Sequence, residues 1–221
     1  MEKGKLILIF AEPIGTQNLH IMTAQERKVY RANLRKWFRK ATPKQRALGM
    51  VWYSEAQEFV QELSLESNKR FTSFQTAGLT SALSPNNKWP RNKYDARQVM
   101  QAVIDGKQPE DIKVCTYNPN KIKAFNIMLG TVKITPASPK TYAFAQNVGN
   151  LSADHVTIDK WHLRACQTTS ISPKSCKTSV TAKQYKEIEQ DTLIVAREFG
   201  LKGYEFQAIV WITIRNHWNN N

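Results

Sequence analysis

Cysteine is scarce in this sequence, and what there is has no metal-binding spacing. Only Cys115, Cys166 and Cys176 occur, 51 and 10 residues apart. The absence of any CxxC pair excludes a zinc ribbon and an iron–sulfur cluster, and an odd, sparse count suits free thiols in a reducing compartment. His155 and His162 have no partner at ligand spacing, so no metal and no cofactor is expected. Long apolar runs are missing as well. No window of about eighteen apolar residues exists, which excludes a membrane-spanning helix. The short run Leu6 to Ala11 follows Lys3 and Lys5 but is broken by Glu12 and Pro13 without a small-residue cleavage site. It reads as part of an extended N-terminal arm, residues 1–21, and not as a secretory leader. No repeat period and no dividing linker is visible. Acidic residues are few: 18 Asp and Glu stand against 32 Lys and Arg, a net charge of +14. Such a balance suits a polyanionic partner, nucleic acid before an anionic membrane.

What remains is an ordinary globular composition. The 221 residues are 41% hydrophobic and 10% aromatic, enough for one core and unlike collagen, a coiled coil or a disordered chain. Thr23 and Glu26 have capping-box spacing ahead of a helix in which Tyr30, Leu34 and Phe38 share a face. Thr42-Pro43 opens a second helix, to about Leu63. Further helices are expected over 71–83, 93–106, 121–129, 141–148, from about 159, over 182–199, and over 204–218. SPNNKWPRN is read as a loop, Asn118-Pro119-Asn120 as a turn, and the Ser/Thr-rich stretch 167–182 as a surface loop. The fold class is therefore mainly α, one compact helical domain over 22–217 with a polar tail at 218–221. Trp52, Phe144 and Trp211 sit at apolar helical spacing and are expected in the core.

The window that carries chemistry is Ile134 to Cys166. Lys140 opens one helix and Asp159 stands at the start of another. The positive end of a helix dipole disfavours a lysine cation, and a desolvated amine is a usable nucleophile. An aspartate at a helix start is a good cap, and also a carboxylate able to steady a developing cation.

These residues resemble the helix-hairpin-helix DNA glycosylases of the endonuclease III type. In that family a hairpin L-P-G-V-G-x-K-T-A carries a catalytic lysine, and V-D-T-H-x-x-R some eighteen or nineteen residues later carries a catalytic aspartate. Here Lys140-Thr141 matches the hairpin pair, Ile158-Asp159 matches Val-Asp, and Arg164 stands five after the aspartate; Lys140 and Asp159 are nineteen apart. The segments LTSALSPNNKWPRN, YNPNKIKAFNIML, PKTYAFAQN and VTIDKW are similar to elements of small glycosylase-like proteins of phages and bacteria, and the likeness covers about residues 45–217. Pro136, Ala137 and Ser138 stand where the hairpin glycines are expected, and Trp161 replaces the histidine two after the aspartate.

The resemblance implies a helix-hairpin-helix fold with its catalytic segment at 134–166. It implies a DNA glycosylase with AP lyase activity, excising a damaged or modified base from double-stranded DNA. Lys140 would be the nucleophile and Asp159 the carboxylate, with Ser138, Thr141, Trp89, Asn92, Trp161 and Arg164 contacting DNA. The expected setting is a monomer in the cytoplasm or nucleoid of a bacterial or phage-infected cell. Lys107, Lys113, Lys121 and Lys123 are candidates for a phosphate-facing surface, or for lysines scattered over solvated faces. Three other readings compete: a DNA-binding module of the same fold without catalysis, a phage enzyme acting on hypermodified bases, and a membrane-surface protein using the basic amphipathic stretch 23–40.

Overall fold

The computed structural model describes residues 21–150, 154–168 and 175–219. The N-terminal arm, apart from Ile21, and the tip of the Ser/Thr-rich loop lie outside the described residues. Among the described residues there are nine α-helices and no strand: α1 (Ala24–Lys40), α2 (Pro43–Glu66), α3 (Ser73–Ala82), α4 (Trp89–Ile104), α5 (Asn118–Met128), α6 (Pro139–Val148), α7 (Lys160–Gln167), α8 (Ala182–Glu198) and α9 (Gly203–Asn219). The mainly α class holds. No helix among these residues is long and apolar enough to cross a membrane.

Four of the helix starts follow from one device. Thr23, Thr42, Thr72 and Thr181 each accept from the amide three residues on, and Glu26, Gln45, Gln75 and Gln184 each reach back to the cap amide. Each pair satisfies two of the amides that a helix start leaves unbonded. Two starts differ from expectation. Trp89-Pro90 and Asn118-Pro119 were expected in a loop and a turn, yet they form the first turns of α4 and α5. Proline lacks the amide hydrogen that a first turn cannot use, and its fixed φ suits the helix, so it belongs there. At the other end α9 runs to Asn219, so the tail expected from 218 begins inside a helix.

The buried apolar residues form two clusters. One gathers α2 to α6 around Phe59, Leu63, Leu79, Val99, Phe125 and Met128. The other gathers α1, α7, α8 and α9 around Leu34, Trp37, Leu163, Ile188, Phe206 and Ile214. Helices α6 and α9 belong to both: Phe144 and Ala208 face the first cluster, Ala143, Ile209 and Val210 the second. Helix α2 packs along α9 where Gly49 is buried, and a Cβ built on Gly49 would lie 2.5 Å from Ile209 Cγ1 and 2.7 Å from its Cα. The contact therefore depends on a residue without a side chain. Between α1 and α8, Asp191 is fully buried and receives Arg27 through two hydrogen bonds and Arg31 through one. A buried carboxylate needs such paired donors, because losing them would strand a charge.

Candidate functional site

A cleft of about 950 Å³ opens at the seam of the two clusters. Its walls come from α2, the 84–88 loop with the start of α4, the start of α6, the segment before α7, and α9. Lys140 and Asp159 both line it. So do Ser138, Thr141, Trp89, Asn92 and Trp161.

Asp159 is the best-defined member. It caps α7, with Oδ1 accepting from the amides of Trp161 at 2.9 Å and His162 at 2.8 Å. Its Oδ2 accepts from the Trp211 indole Nε1 at 2.9 Å, reaching across from α9. The carboxylate is thus oriented by three donors from two elements and is half-buried.

The extended segment leading to Asp159 has no sheet partner, so side chains must satisfy its backbone. The Tyr185 hydroxyl donates to the Val156 carbonyl at 2.8 Å and accepts from the Ile158 amide at 3.0 Å. Glu189 accepts from the Val156 amide at 3.0 Å, and Asn147 Nδ2 donates to the His155 carbonyl at 3.0 Å. Tyr53 joins Thr157 at 3.1 Å and Gln207 at 3.0 Å. Burial pushes the phenols of Tyr53 and Tyr185 well above the usual tyrosine range, so both stay neutral donors. Asp159 therefore sits at the end of a strap pinned by α2, α6, α8 and α9.

Next to Asp159, His162 is fully buried, and its Nε2 lies 2.9 Å from Thr192 Oγ. Thr192 spends its hydroxyl hydrogen on the Ile188 carbonyl, so Nε2 is the protonated nitrogen and Nδ1 is a buried acceptor without a partner. Burial pushes the His162 pKa down to about 3.

The opposite wall is held by Asp95, which is fully buried. It accepts from Arg91 at 2.7 Å and from Asn87 and the Cys115 amide at 2.9 Å. This ties the 84–88 loop to α4. Lys140 is exposed on the first turn of α6. Neither Ser138 nor Lys88, the cap residues of α6 and α4, makes a side-chain cap bond, and both line the cleft. Two helix starts thus present uncapped, partly positive ends beside lysines. Lys88, Lys140, Lys160 and Arg215 line the cleft against one carboxylate, Asp159.

Four of the six tryptophans line it too: Trp52, Trp89, Trp161 and Trp211. Trp52 lies 5.4 Å from Trp89 and 6.5 Å from Trp211 between ring centroids. This corrects the expectation that Trp52 and Trp211 are core. Both are half-buried: Trp52 packs on the core and also faces the cleft, and Trp211 faces the cleft, which helical spacing alone cannot distinguish from core. Phe144, also expected in the core, is buried there and edges the cleft. Trp89 both packs on the core and faces the cleft.

Three further residues stand apart from the expected roles. Arg164 is not in the cleft lining; its guanidinium lies over the Trp161 ring at 4.6 Å and braces it from behind. Asn92 is buried, and its Nδ2 donates to the Thr80 carbonyl at 3.1 Å, so it joins α4 to α3 and cannot reach a phosphate backbone. Lys121, a candidate phosphate contact, is buried and donates to the Ile112 carbonyl at 2.9 Å. Arg215 was not singled out in the sequence; it lies 4.3 Å over the Trp211 ring with its Nε buried and unpartnered.

The site is thus a positively charged, tryptophan-walled cleft with one oriented carboxylate, suited to an anionic ligand that carries flat rings. The chain belongs to a family of unknown function (DUF7178), which matches residues 16–218. No curated protein and no solved structure matches it.

Proposed function

We propose that this protein is a base-excising DNA enzyme of the helix-hairpin-helix glycosylase type, with AP lyase activity. The observation that carries the proposal is that Lys140 and Asp159, paired in the sequence by family-like spacing, line one cationic cleft with four tryptophans. In this reading the connection between α5 and α6 would supply the hairpin, with Lys140 following it on α6.

The chemistry requires a flipped nucleotide, since the sugar carbon is shielded inside a duplex. Tryptophans supply faces for the extruded base, and the lysines and Arg215 face the flanking phosphates. Asp159 is oriented to stabilise the oxocarbenium-like sugar as the C1′–N bond breaks. The Lys140 amine then bonds to C1′, the base departs with a proton, and opening of the sugar ring gives an imine. β-Elimination breaks the 3′ C–O bond and cuts the strand.

A second reading has its own observation. Asp159 already caps α7 and receives the Trp211 indole, so its placement has a structural reason without catalysis. This is the DNA-binding module of the same fold. Borohydride trapping separates the two. Wild-type protein incubated with duplexes each holding one damaged or modified base should yield a stable protein–DNA adduct with at least one of them. Lys140→Gln at saturating protein should lose the adduct and the strand cut. Base release without an adduct assigns the attack to water with Asp159 alone; no release from any duplex leaves the binding module.

A further inference from the structure

Helix α1 carries a basic face that the cleft does not use. Between Glu26 and Glu55 the chain has no acidic residue. Part of the positive charge there is occupied within the fold. Arg27 and Arg31 hold Asp191, Arg35 holds Glu198, and Arg46 donates to the Phe38 and Ala41 carbonyls at the end of α1. Lys28, Lys36, Arg39 and Lys44 are exposed, and among the described residues none of them has a carboxylate in ion-pair contact. At about 100° per residue, Lys28, Arg35, Lys36 and Arg39 fall within an arc of about 100° and span about 16 Å along the axis. The Glu198 carboxyl beside them is held below its ordinary range, chiefly by the Arg35 hydrogen bond, with the charges of Arg31 and Arg39 adding.

This face lies away from the cleft. The end of α1 and the start of α2 meet α9 at a hollow of about 260 Å³, where Trp37, Lys40 and Thr42 stand beside Thr213, Asn216 and His217. The cleft takes Gln207, Trp211 and Arg215 of the same helix. At about 100° per residue those two sets occupy opposite sides of α9.

The chemistry of the face selects among polyanions. A basic amphipathic helix binds a membrane by burying its apolar side in lipid. Here that side, Leu34, Trp37 and Phe38, is buried in the core, and Val29 is the only large apolar side chain that α1 exposes. A single strand binds through bases stacked on rings. Trp37 and Phe38 are buried and Tyr30 packs on the core, so α1 offers no such platform. A straight row of cations without rings suits the regular phosphates of a duplex. We propose that the outer face of α1 is a second docking surface, for the phosphate backbone of double-stranded DNA, separate from the cleft and indifferent to sequence. It stands whether or not the cleft excises a base.

The test titrates a short labelled duplex, holding no damaged base, with the full chain and follows anisotropy at about 50 and 200 mM salt. Each phosphate contact contributes about 0.9 to the slope of log affinity against log salt, so Lys28→Gln, Lys36→Gln and Arg39→Gln together should lower it by about 2–3. These side chains are exposed, and circular dichroism verifies that the variant folds. The control removes the same charge from three separate loops, as Lys69→Gln, Lys113→Gln and Lys133→Gln, and should lower the slope by less than about 1. Equal losses in the two variants, or no duplex binding by the wild type at low salt, would overturn the surface. A single strand bound more tightly than the duplex would overturn it too. So would phosphatidylserine vesicles bound more tightly than the duplex and released in the α1 variant, which assigns the face to a membrane. Base release at saturating protein separates this surface from the excision reading. A lowered slope without release from any duplex keeps the surface alone, and release with an unchanged slope keeps the enzyme alone.

Discussion

Replacing Tyr185 by phenylalanine removes one oxygen and tests how Asp159 is placed. The Tyr185 hydroxyl is the partner of both the Val156 carbonyl and the Ile158 amide. Val156 is 0% and Ile158 3% exposed, so water does not reach either group without a local opening. Each orphaned group costs about 1–3 kcal/mol, and partial relaxation of the strap puts the expected total near the low end, about 2–3 kcal/mol. For a chain of this size that is a fall in Tm of about 4–12 °C. Equilibrium urea unfolding should show the midpoint lowered with the slope unchanged. Tyr94→Phe is the control. That residue is exposed and its hydroxyl only accepts from Gln98, so its loss should stay within about 0.5 kcal/mol. If Tyr185→Phe matches the control, the strap is held by Glu189, Asn147 and apolar burial, and Tyr185 has no share in positioning Asp159.

His162 and Gly49 supply two further tests. The folded-state pKa of His162, about 3, lies below its ordinary 6.5, so the unfolded chain takes up the extra proton between those values. Its contribution is complete above pH 6.5 and drains as pH falls toward 3, at up to about 1.4 kcal/mol per pH unit; His162→Gln should flatten that limb of the stability curve, and parallel curves for the two proteins would refute it. Gly49→Ala should destabilise by about 1–3 kcal/mol although alanine is the better helix former, because its Cβ meets the backbone of Ile209. A gain in stability on thermal unfolding would mean that α2 and α9 separate at no cost.

The helices were legible because their signals are local. Thr-x-x-Glu/Gln boxes and proline at first turns need only the neighbouring residues, and α4 and α5 start earlier than expected because Pro90 and Pro119 serve as first-turn residues and not as breakers. Lys140 and Asp159 stood out as residues at two expected helix starts whose separation resembles that of the glycosylase motifs. The walls around them were not legible. Trp52 and Trp211 come from distant segments and face the same cleft only because α2 lies on α9. One unused signal was present: Asn92 and Asp95 lie on the stripe of α4 that carries Ala96, Val99 and Val103, and a polar side chain on an apolar stripe must find a buried partner. Asp191 on α8 stands in the same position among Ile188, Thr192 and Val195, and it too is buried and paired.

Asp159 serves the fold and, in the excision reading, the reaction, and one substitution cannot separate the two duties. In Asp159→Asn the remaining Oδ1 must serve the Trp161 and His162 amides, since α7 needs its cap. The new Nδ2 then faces the Trp211 Nε1–H that Oδ2 accepted before, and two donors oppose each other. The single variant should therefore lose about 1–3 kcal/mol for a reason unrelated to charge. Trp211→Phe removes the indole N–H while keeping an aromatic face in the cleft wall. Combining the two should recover part of the loss, with a coupling of about 1 kcal/mol in a double-mutant cycle read by urea unfolding. Base release should follow charge and not stability: absent in Asp159→Asn, and still absent in the double variant after its stability has returned. Activity that returns together with stability would refute the electrostatic role and leave Asp159 as the cap of α7 alone.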